Sequence, residues 1–433
     1  MPCVLLVNPW IDDFAAYDLW ARPLGLLTVG AWLERAGADV QLLDCLAREV
    51  WGGTHRRFGT GKYVAAPIPP PPALGGVPRR YRRYGAPEAA IIEFLDRLHP
   101  PDYILITCLM TYWYPGAFAA ARLLRRRYPK AVIILGGVYA FLCPEHARAA
   151  GLFDHILPHK DPDALARRLG AITRLPLTAN PGRAVYHLYG TPLRHAAWLT
   201  GVGCPYRCDY CATPLMYPGL IRKSPADLVA ELDEITMVTG ARDIAFYDDA
   251  LLADSEKHFQ PFLESWLARG RFVRFHLPNA VHARWLTPDL CALMRRTGFT
   301  TIRLGMESLA QDLQSRSGFK VSADEMERGV AALRGAGFTA AEMGAYILFG
   351  APEQTLAQTL ADLEYAHRLG LQVSLAAYSP IPGTPDFTRS LVDWPQLADE
   401  PLLQNNTLTI VRRAVDYQVA RRRMLALNRR RLA

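Results

Sequence analysis

Trp198-Leu199-Thr200-Gly201-Val202-Gly203-Cys204-Pro205-Tyr206-Arg207-Cys208-Asp209-Tyr210-Cys211 runs an apolar strand straight into three cysteines within eight residues. Thiolates are soft ligands, suited to iron–sulfur clusters or to zinc. Spacings of three and two intervening residues let one tight loop wrap three corners of a cubane cluster, and no fourth cysteine lies nearby. One iron of such a cluster stays open. An external ligand with an amine and a carboxylate can chelate it, and one-electron reduction can then break that ligand's sulfonium bond. Structural zinc is the alternative, but it asks for four closed ligands, commonly two Cys-x-x-Cys pairs. The second pair is missing, so the spacing favours iron–sulfur.

Outward from this loop, strand and helix alternate six times between about 195 and 385. Strands are expected at 198–202, 244–247, 273–277, 301–306, 345–349 and 373–378, with helices between them. Ser224-Pro225 followed by Asp227 is a helix start: a cap, proline at the first position and an acid in the first turn. Six such units are too few for a closed eight-fold barrel, so an open (β/α)6 partial barrel of the TIM type is expected. The remainder, 386–433, ends in an arginine-rich amphipathic helix from near Thr407.

Upstream, residues 1–172 alternate in the same way. Val4–Asn8, Val40–Asp44, Tyr103–Thr107 and Val132–Leu135 read as strands, with His155–Leu157 as a fifth. The pattern predicts an α/β, doubly wound parallel sheet of Rossmann-like build, joined to the barrel by a linker at 173–194. Residues 51–87, with the proline run at 69–72, read as an extended loop over the sheet. Ligands in such sheets sit beyond the carboxyl ends of the strands. The loops there are Asn8-Pro9-Trp10, residues 107–114 and Gly136-Gly137-Val138-Tyr139. No G-x-G-x-x-G occurs, so a dinucleotide is not indicated.

Half of the 433 residues are apolar and about a fifth are charged, the balance of an ordinary globular protein. The start reads as a buried strand rather than a secretory leader. Residues 103–121 are broken by Pro115 and Gly116, which argues for strand, turn and helix instead of a transmembrane span. A cytoplasmic protein is expected. Eight cysteines in so long a chain are not a disulfide framework. The net charge of +8 comes with arginine runs at 79–83, 125–127, 421–423 and 429–431. These read as solvated surface in preference to a nucleic-acid footprint.

Cys-x-x-x-Cys-x-x-Cys after a first strand, followed by an aromatic-rich αβ region, resembles the radical S-adenosylmethionine (SAM) superfamily. In that family the second strand ends at the SAM amino group, which implies Asp248 and Asp249 there. Asn279 ends the third strand. Glu307 and Ser308 end the fourth, where related members contact the SAM carboxylate or ribose. Residues 350–355 and 379–384 match the family's later turns. The resemblance implies a [4Fe–4S] cluster on Cys204, Cys208 and Cys211, and a 5′-deoxyadenosyl radical that takes hydrogen from an unactivated carbon. It also implies an external electron donor of flavodoxin or ferredoxin type and a small-molecule or lipid-like substrate.

A doubly wound domain ahead of such a core resembles the cobalamin-binding class of the superfamily. Asn8-Pro9, Pro23-Leu24-Gly25-Leu26 and Gly136-Gly137 carry that likeness. It implies cobalamin near Asn8, Thr107, Tyr112, Gly136 and Gly137, with residues 110–114 as a candidate corrin floor, and methyl transfer as the reaction. The Asp-x-His-x-x-Gly motif that supplies a cobalt ligand elsewhere is absent, so no lower ligand is implied. Three other readings stand beside this one. The first is a radical SAM enzyme without functional cobalamin, doing rearrangement, oxidation or ring chemistry. The second adds another cluster on Cys45, Cys108 and Cys143. The third is a non-catalytic iron–sulfur or zinc protein that binds RNA.

Overall fold

Short apolar runs bounded by turns form two parallel sheets in the computed structural model, which describes residues 1–159, 161–179 and 183–429. Part of the expected linker (180–182) and the last residues of the terminal arginine run lie outside the described residues. The chain divides into two units. One is Met1–Ala196 with Ile235–Ala241 and Gln396–Gln404; the other holds the remaining segments.

The first sheet comprises β1 (Cys3–Asn8), β2 (Asp39–Asp44), β3 (Tyr103–Cys108), β4 (Val132–Gly137) and β5 (His155–Ile156). Their order is β2-β1-β3-β4-β5, all parallel. All six residues of β1 are buried, as a strand with neighbours and helices on every side requires. Helix Leu24–Arg35 packs so closely that a Cβ on Gly30 would stand 2.7 Å from both Leu6 and Val185. Strand order reverses between β1 and β3, and that switch point is where doubly wound sheets take ligands. A crevice there is lined by Asn8, Trp10, Leu46, Thr107, Leu109 and Trp113.

The stretch expected as one extended loop, 51–87, carries short strands of its own. Gly53–His55 pairs with Gly61–Tyr63, and Arg82–Tyr84 lies between Ile11–Asp13 and Ala65–Pro67. A buried ion pair organises it. Arg48 Nε donates to Asp18 Oδ2 at 2.8 Å, and its other nitrogens reach the Thr54 and Gly59 carbonyls. A guanidinium saturated in this way can be buried without leaving a charge unpaired.

The second sheet runs in chain order: β6 (His195–Trp198), β7 (Asp243–Phe246), β8 (Arg274–Val281), β9 (Phe299–Glu307), β10 (Met343–Phe349) and β11 (Gln372–Ala377). Pairs from β7 to β11 are parallel, and a helix follows each strand. This is the open six-stranded partial barrel. Trp198, Phe246, Phe262, Phe275 and Phe299 fill its first half with ring-to-ring contacts at 5.1–5.8 Å. The Ser224 hydroxyl caps the Asp227 N–H at 3.1 Å as its sequence requires, and Ser322 and Thr355 open later helices with capping boxes.

Two elements differ from the sequence reading. The first barrel strand stops at Trp198, and Gly201–Val202 turns away to pair with Ile221–Arg222. The terminal helix is two helices, Asn406–Arg412 and Ala414–Arg429, broken where Arg413 reaches back to the Gln354 carbonyl. Within the arginine runs, Arg83 pairs with Asp12, Arg125 with Asp154, Arg127 with Asp96 and Arg423 with Glu364. Among the described residues no helix is long and apolar enough to cross a membrane.

Candidate functional site

The chain leaves the barrel sheet after Trp198 because Asp248, just past β7, collects its next donors. The Asp248 carboxylate accepts the Thr200 hydroxyl at 2.5 Å, the Gly201 N–H at 2.9 Å and the Thr200 N–H at 3.1 Å on each oxygen. Burial pushes its pKa up to about 6, and those donors oppose the rise. Behind Thr200 stands His258, with Nε2 at 3.0 Å from the hydroxyl and its pKa pushed down to about 4 by burial. Asp249 takes the next segment. Its carboxylate accepts the Gly203 N–H at 3.1 Å and the Thr213 hydroxyl at 3.2 Å. The acidic pair thus holds the cysteine loop at both ends. Asp248, expected at a cofactor amino group, is buried with its oxygens engaged by the protein.

Inside the loop, Cys208 is buried and Cys204 and Cys211 are half-buried. The Cys208 thiol points to the Ser317 carbonyl at 3.5 Å, and the Asp209 N–H donates to the Arg316 carbonyl at 3.0 Å. These bonds tie the loop to the segment that delivers Lys320. That lysine is buried, and its Nζ lies 3.2 Å from Glu307 Oε1. Burial works against its charge, yet Glu307 and the sulfurs of Cys208 and Cys211 raise its pKa above the ordinary value. Burial raises the Cys208 thiol to about 11, and the nearby ammonium pulls it back.

Three thiols in one loop around a buried cation suit an anionic cluster. The four-iron cube spreads its thiolates over separate corners. Among the described residues no three His, Cys, Asp or Glu side chains, the loop cysteines included, are grouped to hold a single metal ion.

The other expected cofactor contacts divide. Asn279 donates to the Asp248 and Tyr247 carbonyls at 2.8 and 3.3 Å, holding the strand end in place. Glu307 takes a positive φ of 59° at the end of β9, a conformation rare for a side chain of its size. Ser308 is buried, and its hydroxyl donates to Asp362 at 2.5 Å, which makes it a support of the turn. At the carboxyl ends of β10 and β11 a cavity of about 460 Å³ opens, with Tyr378, Arg389, Trp394, Arg412 and Arg413 in its wall. Arg389 is held by Asp209 and Asp386. The Arg412 guanidinium lies over Trp394, 4.3 Å from the ring centre.

In the first unit, Asn8 is buried and donates to Asp44 at 2.7 Å, the carboxylate that also accepts the Tyr189 hydroxyl at 2.6 Å. Thr107 and Tyr112 are buried as well. Gly137 has φ +92°, and a Cβ there would stand 2.6 Å from the Cys108 carbonyl. It is a close-packing position of the sheet, not an opening. Gly136 differs: nothing lies within 4 Å of its Cβ position. Leu109 and Met110, 39% and 43% exposed, present apolar surface beyond β3. Cys45 and Cys108 belong to the buried core, with Cys143 packed against it.

Thr200, Thr213, Lys320 and Asp362 escaped the sequence reading. Each acts through a partner distant in sequence, and none sits in a recognisable spacing.

Residues 198–366 match the family model described as the radical SAM superfamily. A hopanoid C-2 methylase of Rhodopseudomonas palustris (strain TIE-1) is 29% identical over 109 residues, covering 24% of this chain and 21% of that protein. An uncharacterized methyltransferase of Pyrococcus horikoshii is 22% identical over 196 residues, covering 43% of this chain and 40% of that protein. Both alignments span less than half of the relative. Among solved structures, the radical SAM methyltransferase TsrM from Kitasatospora setae, with cobalamin and a [4Fe–4S] cluster bound, superposes with TM-score 0.64 at 17% identity. The match covers 89% of this chain and 77% of that one. OxsB, a cobalamin-dependent SAM radical enzyme with aqua-cobalamin and SAM bound, gives TM-score 0.60 at 14% identity over 92% of this chain and 56% of that one. Identities this low establish a shared fold.

Proposed function

We propose, from the match of residues 198–366 to the radical SAM superfamily, that this chain is a cobalamin-dependent methyltransferase acting on an unactivated carbon. The observation that carries the reading is the pairing of a β2-β1-β3-β4-β5 sheet, with its switch-point crevice, and a partial barrel bearing the cysteine loop. TsrM and OxsB share this fold and bind cobalamin, and the two curated relatives are a methylase and a methyltransferase. When bound, the cluster supplies the electron that cleaves SAM to a carbon radical, and cobalamin supplies the methyl group.

The chain's own part is to bind, orient and exclude water. Cys204, Cys208 and Cys211 hold the cluster, and Asp248 and Asp249 fix their loop. Asp249, Asn279 and the Glu307–Lys320 pair offer charge of both signs for an amino-acid end. Ser308 and Asp248 support these groups from behind. Gly136, with open space above it, and the exposed Leu109 and Met110 suit the flat apolar face of a corrin. Asn8 and Thr107 brace that floor from inside the sheet. The cavity past β10 and β11 supports a small-molecule substrate. An external one-electron donor completes the set.

Anaerobic purification with reconstituted cluster and offered cobalamin tests the reading. A full [4Fe–4S] complement of iron, one cobalt per chain and methylated product support it, and Cys204→Ala must abolish iron binding and SAM cleavage. Iron without cobalt overturns the methyltransferase assignment and leaves radical chemistry of another kind.

A further inference from the structure

Successive residues of a strand face opposite sides of its sheet, and β9 follows that rule with an uneven distribution of charge. Ile302, Leu304 and Met306 are fully buried, while Thr301, Arg303 and Glu307 on the other face stay partly exposed. That second face looks into the barrel, since it brings Glu307 to Lys320 beside the cysteine loop. The register sets Gly305 against Tyr346 of β10 and Tyr346 against Ser374 of β11, so these residues share the inner face. Tyr346 and Ser374 are partly exposed as well.

Arg303 carries the odd charge of this face. Its Nη1 donates to the Ile302 carbonyl at 3.0 Å and lies 3.5 Å from the Glu342 carbonyl. The guanidinium is also hydrogen-bonded to Tyr346, whose hydroxyl donates in turn to the Pro278 carbonyl at 3.0 Å. Among the described residues no carboxylate pairs with Arg303. The acids nearest to it in the barrel are engaged elsewhere: Glu307 with Lys320, Asp243 with Arg274 and His276, and Glu342 with Arg295. Burial accordingly pulls the Arg303 pKa below its ordinary value. A guanidinium has five donors in a planar fork, and these contacts use only part of them. Both inner-face positions beside it are glycines. A Cβ on Gly344 would stand 3.2 Å from Arg303 Nη1, and one on Gly305 would stand 2.9 Å from Lys320 Nζ. The fork is therefore held from behind and left uncovered in front.

We propose that Arg303 anchors a carboxylate of the substrate inside the barrel, with Tyr346 holding the guanidinium in place, so that the methyl acceptor is a carboxylate-bearing small molecule. The planar fork matches a carboxylate with two parallel hydrogen bonds, and a buried cation without an acid gains most from such a partner. Arg303 lies four residues before Glu307 along β9, about 13 Å of strand. A carboxylate bound there enters the barrel first, and the rest of the molecule points back to the strand ends where the cysteine loop lies. The proposal rests on the methyltransferase reading for the word substrate and deepens it by naming the chemical class.

The test is a ligand-observed nuclear magnetic resonance titration of the full chain with benzoate and with benzamide, its uncharged counterpart of the same shape. Wild type should bind benzoate more tightly than benzamide by roughly tenfold. Arg303→Met should bind the two equally, with a urea midpoint no lower than wild type because no ion pair is lost. Arg303→Lys keeps the charge without the fork and should fall between. A wild type with no preference for benzoate overturns the proposal, as does a preference that survives in Arg303→Met. If the methionine variant does not fold, the lysine variant decides: an undiminished preference in it refutes the fork. In the reconstituted holoenzyme, saturating SAM should leave benzoate bound. Displacement would give the carboxylate site to SAM and overturn the substrate assignment. Iron and cobalt content test the cofactor reading separately, so iron without cobalt sinks the methyltransferase and leaves the benzoate result standing.

Discussion

Removing the Asp248 carboxylate should loosen the cysteine loop before it affects SAM recognition. Three donors depend on that group: the Thr200 hydroxyl, the Thr200 N–H and the Gly201 N–H. All lie in the buried turn between β6 and the first cysteine. Asp248→Ala leaves the two N–H groups without partners, while the hydroxyl can turn elsewhere. A stranded buried donor costs about 1–3 kcal/mol, so the expected loss for two is roughly 2–6 kcal/mol. That is a large share of the ~5–15 kcal/mol typical of a folded domain. Asp248→Asn keeps one acceptor oxygen for the 2.5 and 2.9 Å bonds and sets its amide against the Thr200 N–H. About 1–2 kcal/mol is expected there. Urea unfolding of the metal-free chain reads the stability, and iron content after reconstitution reads the loop. Alanine should lower the urea midpoint and the iron bound, with asparagine intermediate. An ammonium-binding role predicts the opposite pattern: unchanged midpoint and iron, and weaker SAM binding alone. That result would refute the clamp.

Two further predictions concern the sheet and the buried histidines. Gly136→Leu should leave stability nearly unchanged and abolish cobalt retention, because its side chain enters open space at the carboxyl end of β4. Gly137→Ala should instead destabilise the first unit by roughly 2–4 kcal/mol, since its Cβ meets the Cys108 backbone at a positive φ. Wild-type cobalt content in folded Gly136→Leu would count against the corrin floor. His258 and His282, held by burial at about 4 and about 3, are neutral in the folded protein. The unfolded chain protonates them near pH 6.5, so between pH 6.5 and 4 it binds more protons and stability falls as the pH drops. Each contributes up to ~1.4 kcal/mol per pH unit in that window. The His258→Gln variant, whose amide can still donate to Thr200, should show a shallower pH dependence of the urea midpoint than wild type; an equal slope refutes this assignment.

The fold was legible because its signals are local. Strand ends were marked by glycine, proline and acids, and Ser224-Pro225 announced its helix in three residues. The cysteine loop stands out for the same reason, since its spacing is written in consecutive positions. What the sequence hid is partner choice. Asp248 and Thr200 are forty-eight positions apart, and nothing in either segment says that one will end the other's strand. Ser308 looks like a ligand hydroxyl until Asp362 comes within 2.5 Å of it. Gly136 and Gly137 are the same residue side by side, yet one faces open space and the other faces Cys108. Lys320 gives no pattern at all; only the fold brings it beside the sulfurs. The division of 51–87 into small sheets was likewise set by a distant pair, Arg48 and Asp18.

The acids at the end of β7 suit a ligand by sequence, and their hydrogen bonds also run back to the cysteine loop. Asp248 and Asp249 are neighbours that both hold the cysteine loop, and the proposed amino-group contact falls to Asp249 alone. A loss of activity on changing either says nothing about SAM by itself, because the loop moves with them. Asp249 accepts the Thr213 hydroxyl, which also stands 3.3 Å from Cys211 Sγ. Iron content reads a displaced loop, and SAM affinity at equal iron content reads a missing contact. With both measured, the two acids become distinguishable although they are adjacent in sequence.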